Sequence, residues 1–217
     1  EDKAEALHYF PMWRTWFGLV GLCKLPWNDV TPPSNAHEKE PAKIPEHVQN
    51  YADLLSATIG KEFKPADLIL QSERVYNFQR SMNVWMGRGT RKDDWMPFRA
   101  LGPVTEMEYL SRRDRYDKQL AENMGIPKEK LSKMMTRDKL AVLKEHRIDQ
   151  YQKLTDAVYL RRGWTQNGIP TPEKMKSLGF TDERLLDALQ QKIDEDEKAG
   201  LNKRGGKYQG EAKTPGK

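Results

Sequence analysis

The sequence has few of the residues from which metal sites and disulfide bonds are made. Its 217 residues include one cysteine, Cys23, and four histidines. A single cysteine excludes an internal disulfide framework and suits a reducing cytosol. It also cannot hold a zinc ion or an iron–sulfur cluster without ligands from elsewhere. Because the sequence shows no catalytic triad, Cys-x-x-Cys pair or histidine pair at metal-ligand spacing, these residues alone indicate no complete active site.

Long hydrophobic runs are also missing. No apolar run reaches the roughly 18 residues of a transmembrane helix, and no secretory signal pattern opens the chain. Hydrophobic residues make up 37% of the sequence and the mean hydropathy is -0.88, which is low for a globule that folds by itself. We therefore expect a cytoplasmic chain without a membrane span. Because a helical pattern begins directly at Glu1, we expect the C-terminal piece of a longer polypeptide.

Neither sign of charge is in strong excess. The sequence has 37 Lys and Arg residues against 32 Asp and Glu residues, and a net charge of +5. The signs are mixed along the chain, which indicates a salt-bridged helical surface. The excess is local to residues 201–217, where glycine, lysine and proline predict a disordered basic tail. One alternative is therefore a non-enzymatic basic helical module that docks on an acidic protein or RNA. We expect no nucleic-acid partner, because aromatic and basic residues are not repeatedly interleaved.

No strand pattern competes with the helical spacing of the apolar residues, so the predicted fold class is all-α. Gly60 and Gly125 predict helix ends. A helix over residues 2–10 is expected to end before Pro11, and Thr181 is expected to cap the last helix, which runs to about residue 199. The other predicted helices are residues 48–59, 65–86, 103–124, 127–135, 137–162 and 172–179.

The most apolar part of the chain is residues 13–27, which contain the cysteine. Gly21 and Leu22 precede Cys23, and Lys24 follows it. The thiol is either an inert core side chain or a soft metal ligand in a dry pocket, with a cation beside it that favours the thiolate. The spacing alone favours the inert side chain, because a lone cysteine does not make a cluster site.

Residues 87–94 form a second segment with two interpretations. Two glycines are followed by Thr90, Arg91, Lys92 and two aspartates, and such a loop could cradle a phosphate group. The alternative is a group of salt bridges that fixes the loop. The structural interpretation is favoured, because the segment follows a helix and lacks the strand–loop–helix context of a nucleotide loop.

Gly21, Leu22 and Cys23 match the final cysteine motif of a known family, in which Asp-x-x-Gly-Leu is followed by Cys or Asp. In this respect the chain resembles the tungsten-dependent aldehyde:ferredoxin oxidoreductase family. Gly18 stands where the motif has its Asp. Two longer stretches resemble the same family in the same order, residues 74–94 and 160–180. Within the family, the helical stretch 115–120 most resembles the catalytic subunit of class II benzoyl-CoA reductase.

The resemblance implies specific cofactor contacts. Cys23 would be the fourth ligand of a 4Fe–4S cluster whose other three ligands come from an upstream motif. Gly21 and Leu22 would line a tungsten bis-pyranopterin (molybdopterin) cofactor, which backbone at a glycine can approach closely. Because the motif's Asp contacts a pterin, Gly18 removes that hydrogen bond. The resemblance implies no catalytic residue within this chain.

The resemblance also implies a division of the chain. Residues 1–47 would be a cofactor-facing segment and a proline-rich loop, and residues 48–200 a helical C-terminal domain that packs on missing upstream domains. Residues 201–217 would be the disordered basic tail. The expected fold is thus an irregular helical domain with a cofactor-facing cysteine segment near its start.

The activity implied by the resemblance is that of an anaerobic oxidoreductase. The first expectation is reductive dearomatisation of benzoyl-CoA, with electrons relayed through the cluster. The alternative is oxidation of an aldehyde to a carboxylic acid coupled to ferredoxin reduction. The implied partners are the upstream part of the same catalytic subunit, a ferredoxin-like iron–sulfur electron-transfer subunit, and a CoA thioester or aldehyde substrate, within an oligomer. The sequence does not decide whether the metal is tungsten or molybdenum.

Overall fold

The computed structural model describes residues 2–23 and 46–201, and the chain is all-α within these ranges. The described residues contain no β-strand, and an isolated bridge joins Trp164 and Pro170. The predicted fold class is therefore confirmed. No helix in the described ranges is long and apolar enough to cross a membrane. The helices are α1 Asp2–Leu19, α2 Glu46–Ile59, α3 Pro65–Trp85, a 3-10 helix Phe98–Leu101, α4 Glu106–Leu110, α5 Arg113–Met124, α6 Lys128–Lys133, α7 Thr136–Arg162, α8 Pro172–Ser177 and α9 Glu183–Lys198.

Most of the predicted helix ends are confirmed, because short-range signals set them. Gly60 and Gly125 have φ values of 74° and 63° and follow the last turns of α2 and α5. The cap predicted at Thr181 is wrong by one residue. Asp182 caps α9, and its carboxylate accepts from two backbone N–H groups of the first turn. A carboxylate is favoured there because its charge also complements the helix dipole.

The single helix predicted over residues 103–124 is two helices. Thr105 caps α4 and accepts from the backbone N–H of Glu108 at 3.2 Å. Arg112, with φ −136° and ψ 36°, leaves the helical conformation and separates α4 from α5. The break brings Tyr109 of α4 over α5, where its hydroxyl donates to Asp117 at 2.7 Å. The break in the predicted helix thus coincides with a side-chain contact between the two helices that replace it.

Pro11 does not end the first helix, contrary to the prediction. α1 continues through it to Leu19. Proline has no N–H group, so the carbonyl of Leu7, one turn earlier, lacks its usual helical donor. The guanidinium of Arg162 donates to that carbonyl, with Nη2 2.9 Å from the oxygen. Because Arg162 is 155 residues away along the chain, no local pattern could indicate this compensation.

The described residues separate into two compact units. One contains the described residues up to Asp93 and from Asp156 onward. A first core cluster in this unit packs α1 against α2 and α3, and a second packs α3 against α8 and α9. The first cluster consists of Trp13, Trp16, Phe17, Ala52 and Leu68. The second consists of Val84, Ile169, Met175, Leu186, Leu189 and Ile193.

The other unit is formed by residues 94–155. Its core contains Tyr109, Tyr116, Leu120, Leu131 and Leu143. The amino group of Lys139, a residue only 3% exposed, lies 3.0 Å from both carboxylate oxygens of Asp117. Burial raises the pKa of that carboxyl, but hydrogen bonds from Tyr109 and Lys139 outweigh it and hold the pKa below its usual value.

Two predicted segments lie outside the described residues, the proline-rich loop and the basic tail. Lys24, beside the cysteine, lies outside them as well. The three-part division of the chain stays a prediction.

Candidate functional site

The cysteine motif directly follows the C-terminal cap of α1. The N–H of Val20 donates to the carbonyl of Trp16 at 3.1 Å, and the N–H of Leu22 donates to that of Phe17 at 2.9 Å. Gly21 lies between them with φ 74°. A left-handed glycine with a six-to-one hydrogen bond across it is the Schellman way of ending a helix. The glycine of the motif therefore has a local structural role, independent of any ligand.

The residues predicted to contact the cofactors lie together on the surface of the described chain. Cys23 is an exposed free thiol. Leu22 is 44% exposed, and Gly21 is exposed as well. No heavy atom lies within 4 Å of a Cβ built on Gly21. The exposure of the thiol disagrees with the inert core interpretation that spacing alone favours, and it leaves the turn open to a large group.

α1 and the turn after it expose apolar residues, although α1 also buries aromatic ones. Leu7, Phe10, Leu19 and Leu22 are each between 44% and 46% exposed. Leu7 and Phe10, three residues apart, share one side of the helix, and we call them the outer face of α1. Leu19 is the last residue of α1, and Leu22 adjoins Cys23 in the turn that follows. Gly18, at the position of the motif's Asp, is also exposed. Exposed apolar side chains beside the thiol are typical of a surface that another protein segment covers.

The donors in the described residues fit one ligand of a shared cluster and do not fit a complete metal site. No group of three or more His, Cys, Asp or Glu side chains able to hold a metal ion occurs in residues 2–23 and 46–201. Cys23 is thus a single thiol on an open turn. A cluster bound there would need its remaining ligands from outside the described part of the chain.

His8 lies on α1, in surroundings that disfavour the charged form of its side chain. Burial lowers the pKa of its imidazole, and the charges of Arg162, Lys174 and Arg161 lower it further, against an opposing effect of Glu73. Its Nδ1 is buried and has no hydrogen-bond partner in the described residues. These surroundings keep the side chain neutral near pH 7, as a packed histidine.

The two longer stretches that resemble the family interlock in the structure. Trp164 donates its indole N–H to the side-chain oxygen of Asn77 at 2.7 Å. Arg80 donates its Nε–H to the carbonyl of Gly168 at 2.9 Å. Arg74 donates its Nε–H to the carbonyl of Leu178 at 2.6 Å. An ion pair of 2.6 Å joins Lys174 to Glu73, the residue directly before the first stretch. The two stretches that resemble the family therefore contain the residues that pack α3 against the segment around α8.

Trp164 is the centre of this contact. It is 7% exposed, and its ring stacks on that of Tyr76 with 6.0 Å between centroids and 9° between planes. The guanidinium carbons of Arg80 and Arg162 lie 4.7 and 4.9 Å from its ring centroid. Cation–π contacts of this kind hold the arginines next to buried aromatic rings.

The contacts of the glycine-rich loop agree with its structural interpretation. Thr90 donates both its N–H and its hydroxyl to Asp93, at 2.9 and 3.1 Å. The guanidinium of Arg91 pairs with Asp156, and its backbone N–H donates to the carbonyl of Asn167 at 2.9 Å. These groups are therefore committed to contacts within the first unit.

Comparison with known proteins identifies the family. The family described as "Aldehyde ferredoxin oxidoreductase, domains 2 & 3" matches residues 1–180. The chain belongs to this aldehyde ferredoxin oxidoreductase family. Its cysteine segment and both interlocked stretches fall within the matched residues. The family predicted from the three motifs is confirmed.

Relatives in the aldehyde ferredoxin oxidoreductase family include tungsten enzymes of Pyrococcus. The proteins named tungsten-containing aldehyde ferredoxin oxidoreductase in Pyrococcus abyssi and Pyrococcus horikoshii are each 27% identical over 131 residues, which is 60% of this chain and 16% of the relative. The protein of the same name in Pyrococcus furiosus is 27% identical over 134 residues, with coverage of 61% and 16%. The chain thus spans 16% of the length of these relatives. No solved structure matches the chain.

The sequence did not indicate roles for the residues that organise the interlocked stretches. Asn77, Arg80 and Trp164 lie within the stretches that resemble the family. The hydrogen bond between Asn77 and Trp164 joins residues 87 positions apart, so it has no signature in local spacing. The sequence offered one signal of such contacts: polar side chains occur among the apolar positions of α3. Buried polar groups require hydrogen-bond partners, so these side chains indicate partners elsewhere in the chain.

Proposed function

We propose that this chain is the C-terminal part of a tungsten bis-pyranopterin, 4Fe–4S oxidoreductase and contributes Cys23 as a ligand of the cluster. The observation that carries the proposal is the exposed thiol at the end of α1, within the residues that match the family. A thiolate is the ligand that iron–sulfur clusters use. Gly21 and Leu22 would lie against the pterin.

The chain's own residues would hold and shield the cofactors. Gly21 turns the backbone away from α1 and leaves space for a pterin, because it has no side chain. Leu19 and Leu22, on either side of the glycine turn, exclude water around the thiolate, which influences the cluster potential. When bound, the tungsten centre supplies the substrate redox chemistry and the cluster supplies one-electron transfer. The outer face of α1 packs against the upstream part of the same catalytic subunit.

The proposed reaction is reductive dearomatisation of benzoyl-CoA, with electrons delivered by a ferredoxin-like iron–sulfur subunit in an anaerobic cytoplasm. Its support is the likeness of residues 115–120 to the catalytic subunit of class II benzoyl-CoA reductase. The names of the Pyrococcus relatives favour a second candidate, oxidation of an aldehyde to a carboxylic acid coupled to ferredoxin reduction. The two candidates share the cofactors and differ in substrate and in the direction of electron flow.

The cofactor proposal is tested by metal analysis and electron paramagnetic resonance of the complete protein, purified without oxygen. We expect about four irons and about one tungsten per catalytic subunit, and loss of that subunit's cluster signal in Cys23→Ser. Met107→Ser is the matched control, because Met107 is a sulfur-bearing side chain that is 81% exposed elsewhere in the chain. A folded complex without iron or tungsten would overturn the proposal. It would favour the basic interaction module, whose binding should weaken steeply with salt.

The substrate proposal has its own assay. Benzoyl-CoA should oxidise a reduced low-potential dye in the presence of the complete enzyme, whereas an aldehyde should reduce the oxidised dye if the second candidate is right. If the enzyme is active with the aldehyde and inactive with benzoyl-CoA, the first candidate reaction is wrong and the second takes its place. Either result leaves the role of Cys23 to be decided by the metal analysis.

A further inference from the structure

α1 contains a break in its hydrogen bonding that the rest of the first unit repairs. Pro11 lies inside the helix, and it removes the N–H that would bond to the carbonyl of Leu7. An unpaired carbonyl inside a packed unit costs free energy, and a proline within a helix commonly becomes a kink. A donor from another part of the chain therefore decides whether the two halves of α1 keep a defined angle.

Arg162 provides that donor. Its Nη2 lies 2.9 Å from the carbonyl oxygen of Leu7. The residue is 7% exposed, and its guanidinium carbon lies 4.6 Å from the ring centroid of Tyr76 and 4.9 Å from that of Trp164. The indole of Trp164 is in turn held by Asn77. The guanidinium thus has aromatic rings to hold its plane and one helix carbonyl to bind.

The positive charge of Arg162 strengthens its hydrogen bond to the carbonyl of Leu7. No carboxylate pairs with Arg162 in the part of the chain that the structure describes. A hydrogen bond from a charged donor is stronger than one between neutral groups. Burying an arginine without an acidic partner is costly, so its contacts with the rings and with Leu7 must offset that cost.

We propose that Arg162 is a positioning residue for Cys23. The inference rests on the proposed function, in which Cys23 binds the cluster. α1 is held before Pro11 by Arg162 and after it by the buried rings of Trp13 and Trp16, which are 2% and 1% exposed. With both contacts in place, the angle between the two halves of α1 is fixed, and so is the position of the turn that carries the thiol.

The length of the helix makes the angle at Pro11 important. Because Trp13 and Trp16 hold the second half of α1 in the core, a bend at Pro11 turns that half relative to the residues before Pro11, which in the proposed function lead to the upstream part of the subunit and its cluster ligands. α1 rises by about 12 Å from Pro11 to Leu19 at 1.5 Å per residue, so a bend of about 10° displaces Leu19 by roughly 2 Å relative to that upstream part. A metal ligand has to be held to within about 0.5 Å of its productive position. A small bend would therefore be enough to disturb the bond between the Cys23 sulfur and iron.

A double-mutant cycle on the complete enzyme tests the inference, because Pro11→Ala supplies the missing N–H. Arg162→Met should lower the cluster content of anaerobically purified protein by on the order of tenfold and alter the line shape of the remaining resonance signal. Pro11→Ala alone should leave both unchanged. In the double variant, the new N–H bonds to the carbonyl of Leu7, and cluster content and line shape should return to those of the Pro11→Ala protein.

Arg147→Met is the matched control for loss of a buried-carbonyl donor. Arg147 donates to the carbonyl of Leu101 at 3.0 Å, in the other unit, and lies over the ring of Tyr116. Its replacement should weaken folding without changing the cluster line shape, and Pro11→Ala should not restore it. Restoration of the Arg147 variant by Pro11→Ala would show a general stabilising effect and overturn the inference.

The remaining outcomes separate this inference from the proposed function. If Cys23→Ser keeps the cluster, the proposed function fails and the positioning role fails with it. If Cys23→Ser loses the cluster but the Arg162→Met and Pro11→Ala effects are independent, only the positioning role is overturned. Should Arg162→Met not fold, Arg162→Lys takes its place, because lysine keeps the charge and one donor. Pro11→Ala must then restore whatever cluster content the lysine variant has lost relative to the natural protein, and a loss that Pro11→Ala does not restore would refute the role.

Discussion

Gly21 and Gly60 occupy matched positions at the ends of two helices. Comparing them separates the proposed contact of Gly21 with a pterin from its local role in ending α1. Each glycine ends a helix, has φ 74°, and has no heavy atom within 4 Å of a Cβ built on it. An alanine therefore meets the same cost at both positions, about 1 kcal/mol for an L-residue in a left-handed conformation. The two alanine variants should lower the free energy of unfolding by the same small amount.

The variants should differ in cofactor content. If a pterin lies against the turn at Gly21, the new methyl group occupies space that the cofactor needs, and overpacking of this kind costs about 1–3 kcal/mol. Gly21→Ala should then weaken cofactor retention by about 5-fold to 150-fold, whereas Gly60→Ala should not. The assay measures tungsten and iron after dialysis of the anaerobic protein against a chelator. Equal metal content in the two variants would refute a close cofactor at Gly21.

Two further predictions concern the first unit. Asn77→Ala should accelerate hydrogen exchange in α3 by about 30-fold to 150-fold, because it leaves the buried N–H of Trp164 unpaired at a cost of about 2–3 kcal/mol. Gln79→Ala, at an exposed position of the same helix, is the control. Equal exchange rates in the two variants would contradict the reasoning. Burial and Arg162 lower the pKa of His8 from its ordinary 6.5, so stability from this residue should be complete above pH 6.5 and be lost as the pH falls through the lowered pKa. His8→Asn should flatten that part of a plot of unfolding temperature against pH, and an unchanged slope would contradict it.

Local chemistry accounts for the elements that the sequence predicted well. Gly60 and Gly125 end helices because they adopt left-handed conformations, and Thr171 starts α8 because its hydroxyl accepts from the N–H of Lys174. These effects act within one turn of the chain, so the residues that cause them lie next to one another in sequence. The family could likewise be predicted, because Gly21, Leu22 and Cys23 are consecutive.

Most of the predictions that failed depend on contacts that extend beyond one helical turn. The helix predicted over residues 103–124 is broken at Arg112, and across the break the hydroxyl of Tyr109 donates to Asp117, eight residues away. The spacing around Cys23 favoured a core side chain, but which face of α1 is buried depends on where Trp13 and Trp16 pack. Hydrophobic periodicity shows that a helix has an apolar face, and it does not show which of two apolar faces another element will cover.

The sequence by itself determined that the chain is helical, where most of its helices end, and which family it belongs to, because propensity, caps and consecutive motifs act over a few residues. Only the tertiary structure decided that α1 passes through Pro11, since the donor for Leu7 comes from Arg162, 155 residues away. Only the tertiary structure placed Cys23 on the surface. Contacts between distant residues form when apolar surface is buried, and their energies outweigh the local preference of a proline to end a helix.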